Sequence, residues 1–120
     1  MIKVYNIKLY KNDKLEKEYN SIKGLSDKKR IILKLDDTKT IVKEKEFIRE
    51  NDEYKFSIDF NNNKSIIHLK EHNLSYDIKV LDAKYTKKEK EIEIKYKIET
   101  DEDLIKIIIV ESVWLHATIY

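Results

Sequence analysis

Three stretches of the chain alternate apolar and polar residues with a period of two. Tyr54, Phe56, Ile58 and Phe60 are spaced by Lys55, Ser57 and Asp59. Leu74, Tyr76, Ile78 and Val80 are spaced by Ser75, Asp77 and Lys79, and Ile92, Ile94, Tyr96 and Ile98 by Glu93, Lys95 and Lys97. Successive side chains of a strand point to opposite faces of a sheet, so this pattern predicts half-buried antiparallel strands. Extended along the chain, the same reading predicts strands over 2–10, 14–24, 30–35, 38–44, 46–50, 54–60, 64–71, 74–85, 90–100 and 104–119. A short helical turn is expected at Ser26 to Arg30, where Ser26 and Asp27 resemble an N-cap.

Turn signals separate the strands, and proline supplies none of them. Asn12-Asp13, Asp36-Asp37, Asn51-Asp52, Asn61-Asn62-Asn63 and His72-Asn73 mark hairpins in a chain with a single glycine, Gly24. Asn and Asp tolerate left-handed backbone and hydrogen-bond their own main chain, so they stand in for glycine. Regular turns of this kind predict a meander.

A sheet with one apolar face needs a cover, and no amphipathic helix is present to provide one. The sheet must therefore pack on another sheet or close on itself. Sequential hairpins favour closure, and the expected fold is all-β: one domain over 1–120, a closed antiparallel meander barrel of about eight to ten strands. An interior of that size is filled by side chains or just wide enough for one small ligand. Tyr54, Phe56, Ile58, Tyr76, Ile78, Tyr96 and Ile98 are the candidate ligand-lining residues, because tyrosines in phase with aliphatic neighbours present ring faces and hydroxyls inward.

The last predicted strand differs from the others. Leu104, Ile105, Ile107, Ile108, Ile109 and Val110 place apolar groups on both faces, and Val113, Trp114 and Leu115 follow. A two-sided apolar strand needs covering twice. Val113, Trp114 and Leu115 are thus candidate interface residues for a homodimer or another protein partner, with 112–120 as a C-terminal extension.

Composition removes several kinds of chemistry. No cysteine is present, which excludes thiol nucleophiles and disulfides. One glycine is too few for the phosphate-cradling loops of nucleotide enzymes. The 25 basic and 23 acidic side chains nearly cancel, so the whole-chain charge gives no nucleic-acid footprint. Lysine outnumbers arginine 23 to 2, a bias in keeping with an AT-rich genome. The longest strongly apolar stretch, Ile105 to Trp114, is interrupted by Lys106 and Glu111 and is far short of the roughly 20 residues of a membrane helix. Met1-Ile2-Lys3-Val4-Tyr5 opens into strand pattern with no leader, so the expected setting is cytoplasmic, with neither membrane nor nucleic acid as partner.

One string carries a metal motif. His68-Leu69-Lys70-Glu71-His72 reads H-x-x-E-H, but that chemistry needs both imidazoles on one helix face. On a strand, positions four apart lie about 13 Å from each other. No metal, cofactor or catalytic residue is assigned.

From Tyr54 onward the order of elements resembles that of the YwiB-like family, small bacterial proteins with a calycin-like, lipocalin-like barrel. The likeness is carried by Tyr54 to Phe60, the hairpin Asn61-Asn62-Asn63-Lys64, Asp77-Ile78-Lys79-Val80, Glu91 to Tyr96 and Lys106-Ile107-Ile108-Ile109. Lys70-Glu71-His72-Asn73 departs from that family's Thr-Pro-Tyr-Gly-like hairpin. The resemblance implies a cup-shaped interior and brings no activity. The combined expectation is a non-enzymatic barrel that binds a small, partly apolar molecule inside.

Overall fold

The computed structural model describes residues 1–100 and 102–112. Eleven strands are formed: β1 (Ile2–Lys11), β2 (Lys14–Ser26), β3 (Arg30–Leu35), β4 (Thr38–Lys43), β5 (Glu46–Glu50), β6 (Tyr54–Asp59), β7 (Lys64–Leu69), β8 (Leu74–Ile78), β9 (Val80–Lys88), β10 (Glu91–Ile98) and β11 (Leu104–Glu111). They make a single antiparallel sheet in the order β8-β7-β6-β5-β4-β3-β2-β1-β11-β10-β9. The sheet rolls into a nearly closed barrel with β1 hydrogen-bonded to both β2 and β11.

Eleven strands exceed the expected eight to ten, and one residue accounts for the excess. Residues 74 to 88 run almost without interruption, broken only at Lys79. The first part pairs with β7, Ser65 opposite Ile78, and the second with β10, Ile98 opposite Val80. The two ends of the sheet are therefore neighbouring parts of one stretch of chain. At this seam the buried Ser65 hydroxyl donates to the Ile78 carbonyl.

The turns use the residues that the sequence offered in place of glycine. Asn12, Asp13, Asp36, Asn63 and Asn73 all have positive φ near 50–65°. Asn12 and Asp13 together form a two-residue hairpin loop whose left-handed residues match the twist of the flanking strands. The helical turn expected at Ser26 to Arg30 is absent. Asp27 does act as a cap, its Oδ1 accepting from the N–H groups of Lys29 at 2.8 Å and Arg30 at 2.9 Å. The chain then enters β3 at once, so the cap closes a tight turn.

Bulges bend the strands around the core. In the β9–β10 ladder, Lys95 pairs with Lys84 and Lys97 with Leu81, so Tyr96 faces the extra residue pair Asp82 and Ala83. Such an insertion sharpens local twist. Gly24 serves packing, since a Cβ there would lie 2.6 Å from Leu33 Cδ2 and 3.1 Å from Tyr5 Cε2. The core runs through the middle of the barrel around Ile7, Leu33, Phe47, Ile58, Ile94 and Ile109. Tyr96 packs between Phe47 and Phe56, with ring centroids 6.3 and 5.9 Å away.

Candidate functional site

A cavity of about 810 Å³ opens at the end of the barrel where the β2–β3, β4–β5 and β9–β10 turns come together. Its floor is the upper surface of the core. Tyr5, Val42, Ile92 and Ile109 are buried and line it from below, while Ile31 and Tyr85 form apolar wall. Burial pushes the Tyr85 phenol up, with the Glu44 carboxylate adding to the effect. Phe60 packs against Tyr85 at 6.3 Å, bracing the wall from the β6–β7 turn.

The mouth is charged and unevenly so. Lys3, Lys28, Lys29, Arg30, Lys43, Lys45, Lys87 and Lys90 line the cavity against Asp27, Glu44, Glu89 and Glu111. Three of the cations are already engaged: Lys3 with Glu111 at 3.2 Å, Arg30 with Asp27 at 3.1 Å, and Lys43 with Glu46 at 3.4 Å. Hydrogen bonds, first of all from the Lys29 N–H, hold the Asp27 carboxyl below the usual carboxylate range. Lys28, Lys29, Lys45, Lys87 and Lys90 have no carboxylate within ion-pair distance among the described residues, and neither Glu44 nor Glu89 has a cation.

None of the seven residues read from the sequence as ligand-lining borders this cavity. Phe56, Ile58 and Tyr96 are buried in the core, and Tyr54, Ile78 and Ile98 pack against it half-buried. Tyr76 is 49 % exposed on β8. The signal that marks the cup is the continuation of the same alternation. Two residues beyond Tyr5, Ile31, Val42, Tyr85, Ile92 and Ile109 toward this end stand Lys3, Lys29, Glu44, Lys87, Lys90 and Glu111, and all six line the cavity.

A second, shallower apolar groove lies on the outer surface, formed by Ile2, Leu25 and Ile32 with Lys23, Lys34 and Lys39 around it. It follows from the short β2–β3 ladder, which pairs only Leu25 with Ile32 and Ser26 with Ile31. Val113, Trp114 and Leu115, expected as interface, lie outside the described residues.

The H-x-x-E-H string lies on no helix: His68 and Leu69 are strand, and Lys70, Glu71 and His72 are turn. His68 is the last residue but one of β7, its Nδ1 lies 2.8 Å from Ser75 Oγ on β8, and His72 sits in the following turn. Among the described residues no group of three metal-ligating side chains comes together, and no helix is long and apolar enough to cross a membrane. Comparison with protein-family models, curated proteins and solved structures finds no match to this chain.

Proposed function

We propose that this barrel is a non-enzymatic binding module that takes a small, partly apolar molecule into the cup at its end. The observation that carries this reading is the cavity of about 810 Å³ floored by buried Tyr5, Val42, Ile92 and Ile109. Ligand sites are typically concave and about 300–1,000 Å³; this one is apolar at its floor and charged at its mouth. The likeness to YwiB-like proteins and a cytoplasmic setting belong to the same proposal. A neutral, environment-sensitive fluorescent probe should bind saturably at one site per chain. Ile31→Trp, which fills the wall of the cup, should abolish that binding while circular dichroism stays that of the parent. Unchanged binding by the variant removes the cup from consideration.

A second reading, a homodimer formed through the outer surface, draws support from the apolar groove there. Ile2 is 60 % and Leu25 54 % exposed along it. Sedimentation of the intact chain beside Leu25→Glu, which puts a charge into that groove, and beside a version ending at Glu111, which removes Val113, Trp114 and Leu115, tests it. A monomeric intact chain ends this reading.

A further inference from the structure

Resting on the cup as a binding site, we propose that its ligand is an amphiphile with a phosphate-type head, held at the mouth by lysines while the apolar body lies on the core. Two independent features support this. The first is the step in chemistry along the inward face: apolar at Ile31, Tyr85 and Ile92, and one repeat later a lysine without an ion-pair partner among the described residues at Lys29, Lys87 and Lys90, with Glu44 and the paired Lys3 and Glu111 at the remaining positions. A ligand that satisfies both layers must itself be apolar at one end and anionic at the other.

The second feature is the distribution of unpaired charge. Five unpaired lysines stand against two unpaired carboxylates, Glu44 and Glu89, an excess of three positive charges. The lysines come from three separate places, two from the β2–β3 turn, one from the β4–β5 turn and two from the β9–β10 hairpin. A carboxylate offers one negative charge to such a ring. A phosphate ester offers between about −1.5 and −2, with three acceptor oxygens that can face different turns at once. Lysine is a point-charge phosphate binder that needs no planar fork, and a concave site with apolar walls focuses its field. The nearly balanced charge of the whole chain makes this excess local to the cup.

The intact protein should be titrated with n-octyl phosphate, n-octanol, n-octyltrimethylammonium and inorganic phosphate at low and high salt. The expected result is octyl phosphate binding at least about tenfold tighter than octanol, with the advantage shrinking as salt rises. Lys45→Glu combined with Lys90→Glu, both on the exposed rim, should remove the advantage of octyl phosphate over octanol. A preference that survives the pair of substitutions overturns the assignment of the head group to these lysines. Equal affinity for octyl phosphate and octanol in the parent overturns the head-group assignment and leaves the cup reading standing. Inorganic phosphate binding as tightly as octyl phosphate overturns the amphiphile. Failure of all four to bind ends the cup reading and this inference with it.

Discussion

Two layers of the same strands, one repeat apart, have opposite characters. In the middle layer the inward residues are apolar, with Phe47, Ile94 and Ile109 at no more than 1 % exposure. In the layer nearest the cup the inward residues are lysine and glutamate, and the space between them is open. The backbone ladder crosses from one to the other without a break: Ile92 of the apolar layer pairs with Lys87 of the charged one as regularly as Ile94 with Tyr85. What separates a core from a site here is side-chain chemistry on an unbroken ladder. The stable layer fixes the strands, and the open one is free to be charged because it does not have to pay the desolvation of a closed interior.

The sharpest test of that division compares Phe47 with Lys45, two positions apart beside the same strand. Phe47→Ala removes a ring packed on Tyr96 and should cost about 3–5 kcal/mol in urea unfolding. Lys45→Ala should stay within about 0.5 kcal/mol of the parent. Similar costs for the two would mean that the layers are one.

The next effect concerns pH and belongs to the middle layer. Burial pushes the Tyr96 phenol up to about 12, against partial opposition from Arg49. A folded-state pKa above the unfolded value favours the neutral form in the fold. The associated stability is therefore complete below about pH 10 and is lost as the pH rises toward 12, an effect of about 2–3 kcal/mol. Tyr96→Phe should flatten that part of the stability profile. A profile that keeps the same slope in the variant would place the loss elsewhere.

The smallest effect exposes a flaw in the packed layer. Thr40 is almost fully buried, and its hydroxyl has no hydrogen-bond partner among the described residues. Arg49, directly opposite on β5, has an equally unpartnered Nε. Thr40→Val keeps the shape and removes the unpaired group, so thermal unfolding should show stability between unchanged and about 1 kcal/mol higher. A clear loss would mean that the hydroxyl is in use.

The strands and most of the turns were legible in the sequence because a period of two and Asn/Asp punctuation are local signals. The break at Lys79 was not. Ile78 and Val80 keep the same phase, so nothing in the alternation changes where the strand exchanges β7 for β10 as its partner. The cup was hidden for a related reason. Inward positions were sought among apolar residues, whereas Lys3, Lys87 and Lys90 occupy the same face one step beyond it and look like ordinary strand-end charge. The aromatic residues chosen instead, Phe56 and Tyr96, were inward but belong to the layer where the interior is full.

The pairing of β1 with β11 carries a consequence for synthesis. Tyr5 to Lys11 lie opposite Ile105 to Glu111, so the strand that completes β1 is made about 100 residues after it. On a ribosome adding about 5–20 residues per second, one edge of β1 waits for seconds without its neighbour. Lys8 and Lys11 punctuate that waiting edge, and charged side chains of this kind discourage a nascent strand from pairing with one on an adjacent ribosome.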